Sequence, residues 1–281
     1  MRNFSTFALA MVAMMLLTGC DGTPTDPNAG AQPLGAAPAA PAGTPPTASA
    51  PVGPVTGSLP LPPSTPTAPG TGKVICIDPG HPSETAAGCE ANGATEVTVC
   101  WQVANKLKAQ LEAQGLRVVM TKSAEREMVT NQRRAEIANE AGATLSIRIH
   151  AEDVPNQKGY RLYYPDQQGT HSSGKVGPSQ GIITESGKAA QAVMSGMRQV
   201  LTMLNPLDIR GDSATAVGAK QGALTGSIFS TVPVVLCEMV VLRDPSDAQF
   251  ILSEDGQNTM AKALATGIGE YLKVAPATPV Q

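Results

Sequence analysis

Only three histidines occur in this 281-residue chain, and two of them stand where chemistry can be done. His81 follows the apolar run Val74-Ile75-Cys76-Ile77 through the turn Asp78-Pro79-Gly80, and His150 ends the run Leu145-Ser146-Ile147-Arg148-Ile149. Glu238 ends a third run, Val234-Val235-Leu236-Cys237, while Glu96 opens an amphipathic stretch after the first. Two imidazoles and one carboxylate are the ligand set of a catalytic Zn2+ site whose remaining position holds water. Neutral nitrogen donors and one anion leave the ion enough positive charge to acidify that water. A carboxylate outside the ligand set would take the proton. Glu238 suits this role, because a carboxylate closing so apolar a run is either functional or paired. Plainer readings stand beside these. Glu96 would serve as a first-turn acid complementing a helix dipole, His81 as a loop residue, and His150 as a hydrogen-bonded strand end. Glu238 would then be the ion-pair partner of Arg148 or Arg134. His171 lies in a polar stretch and reads as a solvent-exposed side chain.

The elements that must position these residues alternate in type. Val74–Ile77 reads as a buried strand stopped by Asp-Pro-Gly. Thr95 opens a helix carrying Val97, Cys100, Trp101, Ala104, Leu107 and Leu111 at helical spacing, and Gly115 closes it. Leu116–Thr121 is a second strand. Thr130 caps a helix that runs to Gly142, and Thr144–His150 and Tyr160–Tyr164 are strands. The polar segment Pro165–Thr184 reads as a long loop. A helix over Ser186–Leu204, a strand over Val232–Glu238 and a last helix over Ser253–Leu272 complete the order. Strands alternating with helices predict an α/β fold, a single domain with a largely parallel, twisted central sheet flanked by helices. In such sheets ligands bind beyond the carboxyl ends of the strands. Parallel neighbours would bring His81, His150 and Glu238 to that rim, with Glu96 facing it.

The N-terminus predicts the compartment. Arg2 and the apolar run Phe7–Leu17 fit a signal peptide over residues 1–19, the run being short of the roughly 20 apolar residues a membrane span needs. Leu17-Thr18-Gly19-Cys20 resembles the lipobox of bacterial lipoproteins, in which Cys20 would be lipidated and hold the chain to a membrane. From Cys20 to residue 72 the chain is Pro, Ala, Gly, Thr and Ser, with 14 of its 24 prolines and no aromatic. That composition predicts a disordered linker, extended over on the order of 150 Å. Residues 73–273 form the domain and 274–281 a tail. A net charge of −3 without a basic block excludes nucleic acid as a partner. Of the remaining cysteines, Cys89 and Cys100 flank a loop and are the pair singled out for a disulfide, while Cys76 and Cys237 read as buried thiols.

Seven motifs in order resemble the zinc-dependent N-acetylmuramoyl-L-alanine amidases of bacterial cell walls. They are Ile77-Asp78-Pro79-Gly80-His81; Glu96 before its helix; Arg117–Thr121; Arg134 with Ala138-Asn139; Ser146–Ala151; Gly159-Tyr160 to Tyr164; and Val232–Glu238. The resemblance runs from Val74 to about Leu272. It implies zinc ligands His81, Glu96 and His150, with Glu238 as catalytic acid/base. It also implies peptidoglycan as substrate, cut between the lactyl group of N-acetylmuramic acid and L-alanine. Pro82-Ser83 replaces the Gly-Gly that follows the first His in many members, and Met239-Val240 replaces a Gly-Phe pair after the catalytic Glu. A zinc peptidase or deacetylase acting on wall fragments, and a wall-binding lipoprotein without catalysis, are the competing expectations.

Overall fold

A computed structural model describes residues 72–276. The signal-peptide run, Cys20, the linker to residue 71 and the last five residues of the tail lie outside the described residues. In chain order the elements are β1 (Val74–Pro79), β2 (Glu90–Ala91), β3 (Ala94–Thr95), α1 (Glu96–Ala113), β4 (Arg117–Met120), α2 (Asn131–Glu140), β5 (Leu145–Glu152), β6 (Tyr160–Tyr164), β7 (Gly169–Thr170), β8 (Val176–Gly177), α3 (Gln180–Val200), β9 (Pro206–Gly211), α4 (Gly218–Gln221), α5 (Thr225–Ile228), β10 (Val234–Val241), α6 (Pro245–Leu252) and α7 (Glu254–Val274).

The main sheet has the order β4-β1-β5-β10-β6-β9. Four of its five pairings are parallel, and only β6 against β10 is antiparallel. Successive side chains of a strand face opposite sides, and here the two sides differ in chemistry. Ile75 and Ile77, Leu145, Ile147 and Ile149, Val235 and Cys237, and Leu162 point into the main core. There they pack with Val103, Leu107 and Leu111 of α1, Val193 and Met197 of α3, and Leu264 and Ile268 of α7. Each such buried aliphatic contributes about 1.5–3 kcal/mol. The intervening residues Asp78, Arg148, His150, Glu238, Arg161 and Tyr163 fall on the opposite side. A small apolar cluster of Cys76, Ala138, Ala143 and Val232 secures α2 there. The sheet thus has one apolar side and one side strewn with buried polar groups.

The caps follow the sequence signals. Thr130 accepts from the Arg133 N–H at 3.2 Å and starts α2. Gly115, at φ 79°, takes the left-handed turn that ends α1. Two expectations are corrected, and one helix is added. Cys89 and Cys100 are free thiols: the Cys89 S–H donates to the Ala151 carbonyl at 3.2 Å, and Cys100 is buried in the main core. The stretch 165–184 is not one loop. It folds as the β7–β8 hairpin, and α3 starts at Gln180, six residues before the expected start, with the Ser179 hydroxyl accepting from Ile182. Polar Gln180 and Thr184 hide that turn in a linear reading, yet Ile182 and Ile183 between them are buried. The expected last helix is preceded by a separate α6, capped by Asp244 and closed at Ser253.

Candidate functional site

His81 sits on the loop after β1, and that loop is held from two sides. Arg134 Nη1 donates to the Pro79 carbonyl at 2.6 Å and Nη2 to the Pro82 carbonyl at 2.9 Å. Lys122 Nζ donates to the His81 carbonyl at 2.5 Å. These contacts hold His81 at φ 52°, a left-handed conformation that a non-glycine residue adopts at a cost. Beneath the loop, Asp78 accepts from Thr121 Oγ1 at 2.5 Å, Arg134 Nη1 at 2.6 Å and Arg148 Nε at 3.2 Å. Burial alone would raise the Asp78 pKa, but the two guanidiniums and the hydroxyl hold it below the ordinary carboxylate value. Arg134 and Arg148 are therefore Asp78's partners, and the alternative that pairs them with Glu238 is not what the fold builds.

At the rim the sequence-selected residues converge. Glu96, the first residue of α1, spreads its carboxylate between the two imidazoles. Oε1 lies 3.0 Å from His150 Nδ1 and accepts the Ala151 N–H at 3.1 Å. Oε2 lies 3.3 Å from His81 Nε2 and accepts the Cys89 N–H at 3.0 Å. The imidazoles stand edge to face, 5.0 Å between centroids. One ligand-competent atom from each of His81, Glu96 and His150 lies within 4.8 Å of the others. Burial lowers the His150 pKa to about 4, so the ring is neutral at neutral pH. Burial acts on His81 in the same direction, but its bond to Glu96 outweighs this and its pKa is raised. Glu96 is ionised: burial opposes the charge, yet the bonds to His150 and His81 hold its pKa far below the ordinary value. His171 is not part of the cluster. Its ring packs against Phe229.

Glu238 joins from the neighbouring strand. It is the register partner of His150, and parallel partners present their side chains on one side. Its Oε2 is buried without a hydrogen-bond partner, as is Nε2 of His150. Burial raises the Glu238 pKa well above the usual value, and the charges of Glu96 and Glu152 add to this, against Arg148 and Arg161. Sequence reading passed over Arg161 and Glu152. Arg161 is the register partner of Glu238 on the other side, and its Nη1 donates to Glu152 at 3.3 Å. The signal was an arginine inside the otherwise uncharged strand Tyr160–Tyr164.

The donor set fits a metal ion. Two borderline imidazole nitrogens and one hard carboxylate oxygen make a set suited to zinc, itself a borderline ion. A buried imidazole nitrogen without a partner is a cost that a ligand would remove. Gly80 keeps the approach clear, since a Cβ there would lie 2.7 Å from two atoms of the His150 ring.

Comparison with known proteins places this architecture. The sequence profile of the N-acetylmuramoyl-L-alanine amidase family matches residues 75–270. The chain is 24% identical over 221 residues to N-acetylmuramoyl-L-alanine amidase AmiC of Neisseria meningitidis, covering 72% of this chain and 53% of that protein, about half its length. It is 24% identical over 216 residues to the germination-specific N-acetylmuramoyl-L-alanine amidase of Bacillus subtilis, covering 72% and 80%. Among solved structures, AmiC2 of Nostoc punctiforme superposes with a TM-score of 0.58 at 26% identity, covering 72% of this chain and 97% of that one. Ami1 of Mycobacterium abscessus superposes with a TM-score of 0.60 at 20% identity, covering 72% and 99%, a likeness of fold. With a family profile spanning residues 75–270, most of its length, the chain belongs to the N-acetylmuramoyl-L-alanine amidase family.

Proposed function

We propose that the protein is a zinc-dependent peptidoglycan amidase that hydrolyses the amide joining N-acetylmuramic acid to L-alanine of the stem peptide. The observation that carries this reading is the meeting of His81, Glu96 and His150 within 4.8 Å beside Glu238, whose Oε2 is buried without a hydrogen-bond partner. His81, Glu96 and His150 would hold the ion. Bound zinc supplies a Lewis acid and lowers the pKa of water to near neutrality.

The chain's own residues supply the rest. His150, neutral through burial, offers a lone pair rather than a proton. Glu96 brings the one negative charge of the ligand set and is oriented by the backbone N–H groups of Cys89 and Ala151. Glu238 is the proton carrier: Oε2 takes a proton from the attacking water and returns it to the departing L-alanine nitrogen. Burial and the neighbouring charges of Glu96 and Glu152 raise its affinity for a proton, as a group that accepts one from water requires. Family membership supports the substrate, and tethering at Cys20 would hold the domain beside the wall from a membrane.

Digestion of purified peptidoglycan, with products identified by mass spectrometry, tests the reading. We expect free stem peptides that begin at L-alanine, lost with a chelator and restored by Zn2+. Peptides cut within the stem, or glycans freed of acetyl groups, would replace it with the peptidase or deacetylase alternative. No product from a folded, zinc-loaded protein would leave wall binding.

A further inference from the structure

The polar side of the sheet continues past Glu238 across two more strands. Arg161, beside Glu238 on β6, is almost wholly buried and fully engaged. Its Nε donates to Asp208 Oδ1 at 2.5 Å and its Nη2 to Gln157 Oε1 at 2.7 Å, and its Nη1 faces Glu152. Asp208 lies on β9, the edge strand of the sheet, where every residue is half-buried. Its second oxygen, Oδ2, accepts from Arg210 Nε at 2.7 Å. Asp208 thus spans two guanidiniums, one buried and one not: the Arg210 side chain is 40% exposed. Arg210 is the register partner of Tyr163, two residues from Arg161 on the same strand, and so stands on the side of the sheet that carries Glu238. Neither of its Nη atoms meets an acceptor among the described residues.

The charges within this group balance, Glu152 and Asp208 against Arg161 and Arg210, but their hydrogen bonding does not. Arg161 uses all three guanidinium nitrogens, whereas Arg210 uses Nε alone, its side chain 40% exposed beside an Asp208 side chain 37% exposed. An arginine held at Nε by a carboxylate presents its two Nη groups as a fork, the geometry that receives another carboxylate through two parallel bonds. Neighbouring strands lie about 4.8 Å apart, so β9 is about 10 Å from the strand of Glu238.

We propose that Arg210, held by Asp208, is a specificity-determining residue that binds a carboxylate on the peptide arm of the substrate, two strands across and two residues along from Glu238, about 12 Å away. This rests on the amidase reading for the identity of the substrate. It predicts that the protein discriminates between stem peptides whose side carboxylates are free and those in which they are carboxamides.

The test is titration calorimetry with N-acetylmuramoyl-tripeptide in both forms. Zinc-loaded protein carrying Glu238→Gln serves as host, so that neither ligand is consumed. We expect the free acid to bind about tenfold more tightly than the carboxamide, the usual worth of one charge-assisted pair. Arg210→Gln should weaken the free acid alone and erase the difference, and Arg210→Lys should keep part of it. With Glu238 intact, Arg210→Gln should raise KM for the free acid and leave kcat unchanged. Equal affinity for the two ligands, a preference that survives Arg210→Gln, or no binding of either would overturn the assignment. None of these results bears on whether intact peptidoglycan is cleaved, which decides the amidase reading separately.

Discussion

Replacing Glu238 with Gln keeps the shape of the side chain and removes its capacity to carry a proton. Because Glu238 lies outside the cluster of His81, Glu96 and His150, Glu238→Gln should retain the fold and a full complement of zinc. Turnover of peptidoglycan should fall by about 10²–10⁴-fold, the range expected for losing a general acid–base group. Metal analysis alongside product release checks both halves, and activity within tenfold of the parent protein would remove Glu238 from the role. At this scale the candidate site was largely legible. The four residues stand at the ends of apolar runs or the start of a helix, where period-two and helical patterns locate them. The couplings between them were not. Nothing in the sequence tells that Asp78 rather than Glu238 takes Arg134 and Arg148, because that choice depends on strand order: Asp78 lies beside Arg148 across β1 and β5. Arg161 escaped for the same reason, since its meaning comes from lying opposite Glu238 on a strand 77 residues away in the chain.

At the scale of elements, α3 and α7 meet backbone to backbone. A Cβ on Gly267 would stand 2.5 Å from the Val193 carbonyl oxygen and 2.8 Å from its Cα, whereas a Cβ on Gly269, two residues along α7, would meet nothing within 4 Å. The pair makes an internally controlled prediction. Gly269→Ala gains helix propensity and should stabilise by about 0.5–1 kcal/mol. Gly267→Ala must push two long helices apart and should destabilise by about 1–3 kcal/mol. Urea unfolding of the two variants checks the sign of each, and a stabilising Gly267→Ala would mean that the helices are not in the contact described. The four longest helices, α1, α2, α3 and α7, were readable from their apolar stripes, whereas the short α4, α5 and α6 were not, and α1 and α2 start where Thr95 and Thr130 predict. What failed was polar sequence with a tertiary role. The first turns of α3 and the strand β9, Pro-Leu-Asp-Ile-Arg-Gly, have no strong pattern of their own. Burial of Ile182 and Ile183 fixes the first and pairing with β6 the second, contacts that a linear reading does not contain.

Across the whole molecule, one carboxylate ties the pieces that carry the site. Asp78 on β1 joins Thr121 after β4, Arg134 on α2 and Arg148 on β5, and Arg134 in turn grips the loop that presents His81. Asp78→Asn would leave two buried guanidiniums without a counter-charge, a loss of about 3–5 kcal/mol at neutral pH. The pH dependence has a definite sign. The folded-state pKa of Asp78 is depressed below 3.8: burial opposes the shift, and the guanidiniums of Arg134 and Arg148 overcome it. In the unfolded chain the group takes up its proton near 3.8, before the folded chain does. The stabilisation is therefore complete above that value and is lost as pH falls through the lower folded pKa. The gap between the parent protein and Asp78→Asn should be constant from pH 7 to about 5 and should narrow steadily below about 4. Denaturant titrations of both proteins with a chelator present, so that metal affinity does not enter, measure that gap directly. A gap that stays constant down to the acid limit would mean that Asp78 is not ionised in the folded protein, and the network holding the His81 loop would then rest on neutral hydrogen bonds rather than on charge.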